Sequence, residues 1–374
     1  MNKIYLVETQ DGEEDFFRRN LKDFEVYCAC DLADVRPDTE AVSVSLHSRV
    51  DGEFLKSHAS LKMVTTRSTG YDHIDVEACF RHGVIVCNAS SVDENTVAEH
   101  TFALMLAVAR RLLEVHEANK LPRFDYTALR GIDLSGKTLG VIGTGRVGLR
   151  VIDIALAFGM RLVAYDPYNR SLMSELLGVQ YTTLDGLLRN SDVISLHAPL
   201  TEETHYMLDR EAFAKCKRDV ILINTARGGL IHTEALIEAL DTGVVAGAGL
   251  DVLEDESVMQ KEAPRVIADQ IIENIQGAMS PEEMRIKYPE RIKELETVMQ
   301  NGLLLARRNV VFTPHVAFNS VEGVRRINAT TVKNIRAFFE GHPINTIQIP
   351  KNHETSHTLG HSRELASSAH GPGY

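Results

Sequence analysis

No C-x-x-C pair occurs in the chain, and its five cysteines, Cys28, Cys30, Cys79, Cys87 and Cys216, are an odd set. Their spacing suits neither a zinc ribbon nor a disulfide framework, so reduced thiols in a cytoplasm are the simplest expectation. Positive charge is also scarce: 40 Lys and Arg face 52 Asp and Glu, a formal net charge of −12. That balance gives no general attraction to a phosphate backbone or an anionic bilayer, and nucleic acid is not an expected partner. Apolar runs stay below the roughly 18 residues that a membrane span needs. The opening MNKIYLVETQDGEED also lacks the apolar core of a signal peptide. A soluble, cytoplasmic protein with no membrane partner is expected. At 374 residues, 44% of them hydrophobic, the chain is long enough for two domains with a core each.

Before residue 100, short β-branched runs alternate with polar stretches of helical length. Lys3–Val7, Glu25–Cys28, Ala41–Leu46, Leu61–Thr66 and Val84–Cys87 read as strands, an alternation that argues for a parallel sheet covered by helices. From Asp93 to Leu113 the pattern is helical, with Asp93 or Asn95 as the cap. Apolar residues on nearly all of its faces suggest burial between two bodies. A second series follows: Leu139–Gly143, Arg161–Asp166, Val193–Pro199, Val220–Ala226, Val245–Leu253 and Asn309–His315. Six candidate strands with intervening helices make a doubly wound sheet the economical expectation.

The last of these strands is delayed by an insertion after Glu256, residues 257–308, rich in Glu, Lys, Met and Ile. It reads as two or three helices added to the cofactor-binding half, without chemistry of its own. The helix of 321–341 is long enough to return to the first domain. The tail, 351–374, has little to bury and reads as disordered. His353, His357 and His361 recur there every four residues, but Gly360 and the missing apolar face argue against a helical metal site, and no metal is expected.

LGVIGTGRVGLRVIDIALAFGMRLVAYDP sets Gly143, Gly145 and Gly148 in a G-x-G-x-x-G pattern between a strand and a helix, and a second strand ends at Asp166. In that context Gly143 makes a tight turn, Gly145 lets the backbone approach a pyrophosphate, and Gly148 brings helix and strand together. Asp166 is placed to accept both ribose hydroxyls of an adenosine. A carboxylate there repels a 2′-phosphate, which favours NAD over NADP, although Arg170 lies close in sequence.

Three strand ends of the second series carry unusual polar residues: Arg227 in INTARGGL, Glu256 in GLDVLEDE and His315 in TPH. Ligands in open α/β sheets sit outside the carboxyl ends of the strands, so these groups can converge where a nicotinamide would lie. Hydride transfer to a ketone needs a proton donor for the developing alkoxide, and histidine suits that task. A neighbouring carboxylate would favour imidazolium and orient the ring; Glu256 is the candidate, among Asp251, Glu254 and Asp255 in a loop that could equally be solvated. The planar fork of Arg227 could bind the carboxylate and carbonyl of a 2-oxoacid.

In order and spacing these residues are similar to the D-isomer-specific 2-hydroxyacid dehydrogenase family, and the resemblance covers roughly residues 1–350. It rests on VTTRSTGYDHID (64–75), ENTVAEHTFALML (94–106), GTGRVG (143–148), LHAPLTEET (196–204), INTARGG (223–229), LDVLEDE (250–256) and TPHVAF (313–318). Within the family it looks closest to the D-lactate dehydrogenase branch. The resemblance implies a catalytic set of Arg227, Glu256 and His315, and a substrate carboxylate held by the RSTG loop, with Arg67, Thr69 and Gly70 in the substrate set. It implies cofactor contacts from Arg146 and Val147 at the pyrophosphate, Asp166 at the ribose and His197 and Pro199 beside the adenosine half. Thr225 and Ala226 would lie near the nicotinamide ribose and Asp251 at the carboxamide.

The implied fold is two doubly wound parallel-sheet domains with a cleft between them. A flavodoxin-like substrate domain would take 1–98 with 319–350, and a Rossmann NAD-binding domain would take 99–318. The implied assembly is a homodimer through the cofactor domains. Two departures bear on substrate choice: NASSVD (88–93) has Ser90 and Val92 where relatives often carry a proline and an aromatic residue, and the segment between Glu256 and His315 is longer than usual.

The expected reaction is reversible NADH-dependent reduction of a short 2-oxoacid to the D-2-hydroxyacid, with pyruvate and D-lactate first. Phosphoglycerate, glyoxylate, hydroxypyruvate or a larger oxoacid remain as alternatives. Formate is disfavoured because that branch pairs its histidine with glutamine where Glu256 stands. A non-enzymatic NAD-sensing scaffold, like the family's corepressors, is a rival of another class.

Overall fold

The structure is a computed structural model, and it describes residues 1–10, 12–89, 94–118, 126, 127, 129–168, 178–256 and 289–348. Five strands, β1 (Lys3–Val7), β2 (Glu25–Ala29), β3 (Ala41–Val44), β4 (Met63–Thr66) and β5 (Ile85–Cys87), form a wholly parallel sheet in the order β2-β1-β3-β4-β5. Successive side chains point to opposite faces, and both faces are covered, which is why these runs are apolar rather than alternating. Val7, Val42, Val64 and Val86 enter one core layer, and Ile4, Leu6, Ala41 and Met63 enter the other.

Three short helices, α1 (Glu13–Asn20), α2 (Gly52–Ser57) and α3 (Val76–Arg81), connect the strands. Asp51 caps α2 by accepting from the Glu53 and Phe54 amides, and Asp75 caps α3 through the Ala78 amide.

The chain then runs through α4 (Glu94–Ala109) and α5 (Leu112–Ala118) into the second body. One helix was expected over this stretch; two are found. The break falls at Arg111, in the left-handed region at φ 50°, and the Ile132 amide takes the terminal carbonyl of Ala109 at 2.8 Å. The expected cap Asp93 lies outside the described residues.

The second sheet has seven parallel strands: β6 (Thr138–Ile142), β7 (Arg161–Tyr165), β8 (Gln180–Tyr181), β9 (Val193–Leu196), β10 (Val220–Asn224), β11 (Val245–Leu250) and β12 (Val310–Phe312). Their order is β12-β11-β10-β9-β6-β7-β8, so the winding reverses between β9 and β6. A crevice opens above such a reversal, at the carboxyl ends of the strands. The unexpected strand is β8, an edge strand paired to β7 at Gln180 and Tyr181; two residues are too few to show any periodicity. Helices α6 (Arg146–Ala157), α7 (Leu184–Asn190), α8 (Arg210–Lys215) and α9 (Thr233–Asp241) cover this sheet with α4.

Of the insertion after Glu256, only α10 (Pro289–Leu305) and the residues that follow it are described. The tail with its three histidines, and Arg170, also lie outside the described residues.

After β12 the chain returns to the first sheet as α11 (Val321–Phe339), capped by Ser320 through the Gly323 amide. Val332 and Ile335 pack with Ile4, Leu6, Phe17 and Met63, and Asn334 donates to the Asn88 carbonyl at 3.0 Å. The two passages between the bodies are tied together at Thr96, whose Oγ1 lies 3.5 Å from Ser320 Oγ and accepts from Arg326 at 2.8 Å.

Candidate active site

A cleft of about 590 Å³ lies between the two sheets. From the first body, Leu46, Thr69, Gly70, Tyr71 and Asp72 line it; from the second come Val147, His197, Pro199, Thr225, Ala226, Arg227, Asp251 and His315.

The crevice above the strand reversal is shaped by glycine. Gly143 turns at φ 88°, and a Cβ there would meet the His197 carbonyl carbon and the Ala198 amide at 2.7 Å. A Cβ on Gly148 would come within 2.1 Å of the Gly143 oxygen. Gly145, the residue before α6, is different: a Cβ on it would meet nothing within 4 Å. Open space over a helix N-terminus, with Arg146 and Val147 in its first turn, suits a pyrophosphate. At the end of β7, Asp166 accepts from Thr144 N and Oγ1, both at 2.8 Å, and from the Tyr168 amide at 3.0 Å, which fixes its carboxylate at the crevice edge. Burial pushes the His197 imidazole down to about 3, and its Nε2 pairs with Ser195 Oγ at 2.8 Å. These residues fit a dinucleotide.

Asp251, just past β11, is fully buried. It accepts from Thr313 Oγ1 at 2.6 Å, Val316 N at 3.0 Å and Ala317 N at 2.9 Å, with His100 Nε2 at 3.4 Å. Burial alone pushes this carboxyl up, but the bonds from His100, Thr313, Ala317 and Val316 outweigh it and hold the group below the usual range. The carboxylate thereby folds the β12 end back over β11, and the His315 amide donates to the Asp251 carbonyl at 2.7 Å.

His315 sits at φ 52°, a left-handed conformation uncommon for residues other than glycine. Its Nδ1 lies 2.5 Å from Glu256 Oε1. The carboxylate can only accept, so Nδ1 carries the proton in that bond and Nε2 is the nitrogen left for the cleft. The four acids of the β11 loop have separate tasks. Asp251 takes main-chain amides, and Glu254 accepts from Tyr206 Oη and from Thr233 Oγ1 at 2.6 Å. Asp255 is exposed at φ 47°, and Glu256 turns to His315.

Arg227 follows β10. Asn224 Nδ2 donates to the Arg227 carbonyl at 2.8 Å and its Oδ1 accepts from the Ala226 amide at 3.0 Å, a local turn that swings Arg227 into the cleft. The guanidinium bonds Asp72 through Nε at 2.5 Å and the Ala226 carbonyl through Nη1 at 2.7 Å. Gly70 packs so tightly on it that a Cβ would stand 1.4 Å from Nη2.

Arg67 departs from the expected substrate set. Its side chain is buried at the carboxyl ends of β1 and β3, donating to the Ser43 oxygens and to the carbonyls of Val7 and Glu8. It fixes the β-strand ends instead of reaching the cleft. Sequence reasoning passed over Asp72, Tyr206 and Thr233. Asp72 belongs to the same GYD run as Gly70, but its partner is fixed only by the fold. Ser90 and Val92 lie outside the described residues. Among the described residues no three His, Cys, Asp or Glu side chains gather as a metal site requires.

Residues 102–317 match the family model described as D-isomer specific 2-hydroxyacid dehydrogenase, NAD binding domain. The chain belongs to that dehydrogenase family. Its cofactor is accordingly NAD, and it is an oxidoreductase acting on a CH–OH group.

Its relatives differ in substrate. It is 37% identical over 269 residues to a glyoxylate reductase of Korarchaeum cryptofilum, covering 71% of this chain and 81% of that one. It is also 37% identical over 281 residues to the D-3-phosphoglycerate dehydrogenase of Methanocaldococcus jannaschii, covering 75% of this chain but only 53% of that protein. The crystal structure of D-lactate dehydrogenase from Aquifex aeolicus with NAD and lactic acid is similar with a TM-score of 0.76 at 34% identity, covering 90% of this chain and 96% of that one. The dehydrogenase thus shares the two-sheet α/β architecture of the D-lactate dehydrogenases.

Proposed function

We propose that this dehydrogenase reduces a short 2-oxoacid to the D-2-hydroxyacid, with pyruvate and D-lactate as the first pair. The observation that carries the reading is the 2.5 Å bond between His315 Nδ1 and Glu256 Oε1 in the cleft that Arg227 also lines. When bound, NADH supplies the hydride that the carbonyl carbon receives. Arg227 binds the carboxylate and polarises the carbonyl, releasing Asp72 as it does so, while the Thr69 and Gly70 amides hold the far carboxylate oxygen. His315 gives its Nε2 proton to the developing alkoxide, and Glu256 balances the imidazolium and keeps the ring aimed. In oxidation the same nitrogen takes the proton back.

Gly143, Gly145 and Gly148 would make room for the dinucleotide, with Arg146 and Val147 holding its pyrophosphate and Asp166 its adenosine ribose. His197 and Pro199 would flank the adenosine half, Thr225 and Ala226 the nicotinamide ribose, and Asp251 the carboxamide. Leu46, Tyr71 and Phe318 give the cleft an apolar side that suits a methyl or small alkyl group.

We assign residues 1–98 with 319–350 to the substrate body and 99–318 to the cofactor body. A cytoplasmic homodimer through the cofactor bodies is part of the same reading, supported by five free thiols and by exposed Leu112, Leu113 and Val115 on α5. NADH absorbance with a panel of pyruvate, glyoxylate, hydroxypyruvate, phosphohydroxypyruvate and branched oxoacids tests the function. The highest kcat/KM falls on a short unphosphorylated acid. A preference for the phosphorylated substrate, or NADH binding with no turnover of any oxoacid, overturns the reading.

A further inference from the structure

Helix α10 is the far end of the segment that lengthens the chain between Glu256 and His315. Thr297, Asn301 and Leu304 are its buried residues on one side, and Asn301 has no exposure at all. Leu304 enters the core of the second body. Asn301 instead donates from Nδ2 to the main-chain carbonyl of Glu254 at 3.0 Å, and its Oδ1 is buried without a hydrogen-bond partner among the described residues. An amide satisfied at one end only is a poor choice for a packing position, because an apolar side chain of similar size leaves no orphan. The bond it does make falls on the turn that aims Glu256.

That turn is held from three directions. Beneath it, Gly228 lies so close that a Cβ would come within 1.9 Å of the Leu253 carbonyl oxygen. From one side, Tyr206 Oη and Thr233 Oγ1 donate to the Glu254 carboxylate. Burial, then the bond to Glu254, pushes the Tyr206 phenol up, so it stays a donor. From the other side comes Asn301. Asp255 then turns through the left-handed region and delivers Glu256 to His315. A displaced Glu254 carbonyl is two residues from the carboxylate that orients the ring.

We propose that Asn301 is a positioning residue for the Glu256–His315 pair, so that the added helix is coupled to proton transfer. The inference rests on the reading of Glu256 as the carboxylate that orients His315. Nothing in the composition of 257–308 points to it; only the fold brings Asn301 to the β11 loop.

A double-mutant cycle on the full chain tests it, with Asn301→Leu, Glu256→Gln and the double variant assayed with NADH and the best oxoacid of the panel across pH. Asn301→Leu lowers kcat on the order of tenfold, the scale of a small misplacement of a reacting group. KM for NADH stays unchanged and the thermal midpoint does not fall, the pH profile of kcat/KM changes, and the loss vanishes in the Glu256→Gln background. Full kcat in folded Asn301→Leu, or the same fold-loss in both backgrounds, overturns the inference. Asn301→Ala, taken through the same cycle, must show the same dependence on Glu256 and guards against overpacking by leucine. If Glu256→Gln alone turns over at the full rate, the reading of Glu256 falls and the inference with it. If Glu256→Gln is slow but Asn301→Leu is not, only the inference falls.

Discussion

Adding a single methyl group at Gly70 tests how the guanidinium of Arg227 is held. A Cβ there would stand 1.4 Å from Arg227 Nη2, 2.7 Å from Cζ and 3.4 Å from Nη1. Ordinary van der Waals contact begins near the last of these distances, so the Nη2 edge must withdraw by roughly 2 Å in a close-packed site. Gly70 does not occupy the left-handed region and is partly exposed, so Gly70→Ala folds and keeps its amide. What changes is the arginine fork. A hydrogen bond between charged groups contributes about 1.5–3 kcal/mol, and losing one of the two to the substrate carboxylate lowers kcat/KM roughly 10- to 150-fold. NADH binding is unaffected, because Gly70 belongs to the first body while the crevice belongs to the second. Initial rates followed by NADH absorbance, alongside a fluorescence titration of NADH, separate the two quantities. A folded Gly70→Ala enzyme with kcat/KM within about twofold of the parent refutes the argument that this glycine exists to seat Arg227.

Replacing His315 by Gln lowers kcat by roughly 10² to 10⁴, the range of general acid catalysis, with NADH affinity retained; unchanged kcat refutes the assigned role. Asp251→Asn turns an amide NH₂ toward main-chain donors at a fully buried site, which destabilises by about 2–4 kcal/mol; urea titration reads the loss, and an unchanged midpoint contradicts it. Acid sensitivity has a definite sign. Burial holds His73 down to about 4 and His197 to about 3, both below the ordinary value near 6.5. The unfolded chain therefore takes up protons first as pH falls below about 6.5, and stability drops toward the folded-state values, by about 2 kcal/mol per histidine between pH 7 and 5. His73→Asn removes about half of that decline in urea midpoints, and an unaltered pH slope tells against the buried-histidine account.

The parts of the fold legible in the sequence were those fixed locally. β1 to β5 were visible because parallel strands covered on both faces need unbroken β-branched runs. The glycine turn at 143–148 was visible because close backbone approach tolerates no side chain. The strand β8 was too short to carry a period, and the break after α4 depends on Ile132 arriving at the Ala109 carbonyl. In the cleft, the residue types at three strand ends were readable and Glu256 could be singled out for His315, but the separate tasks of Glu254 and Asp255 could not. They depend on a left-handed turn at Asp255 and on Tyr206 and Thr233, which belong to other elements. Arg67 misled for the same reason: its sequence neighbours line the cleft while its long side chain runs the other way.

The doubled passage between the two bodies has a mechanical consequence. Two chain segments side by side, pinned to each other at Thr96, Ser320 and Arg326, would work as the paired knuckles of a door, bending about one axis more readily than they shear or twist. Arg227 and Gly70 stand on opposite leaves of that door, so swinging it changes their separation along one path only. A swing about that axis would bring the jaws together in one register, with the topology supplying the alignment that the Arg227–Asp72 contact then completes.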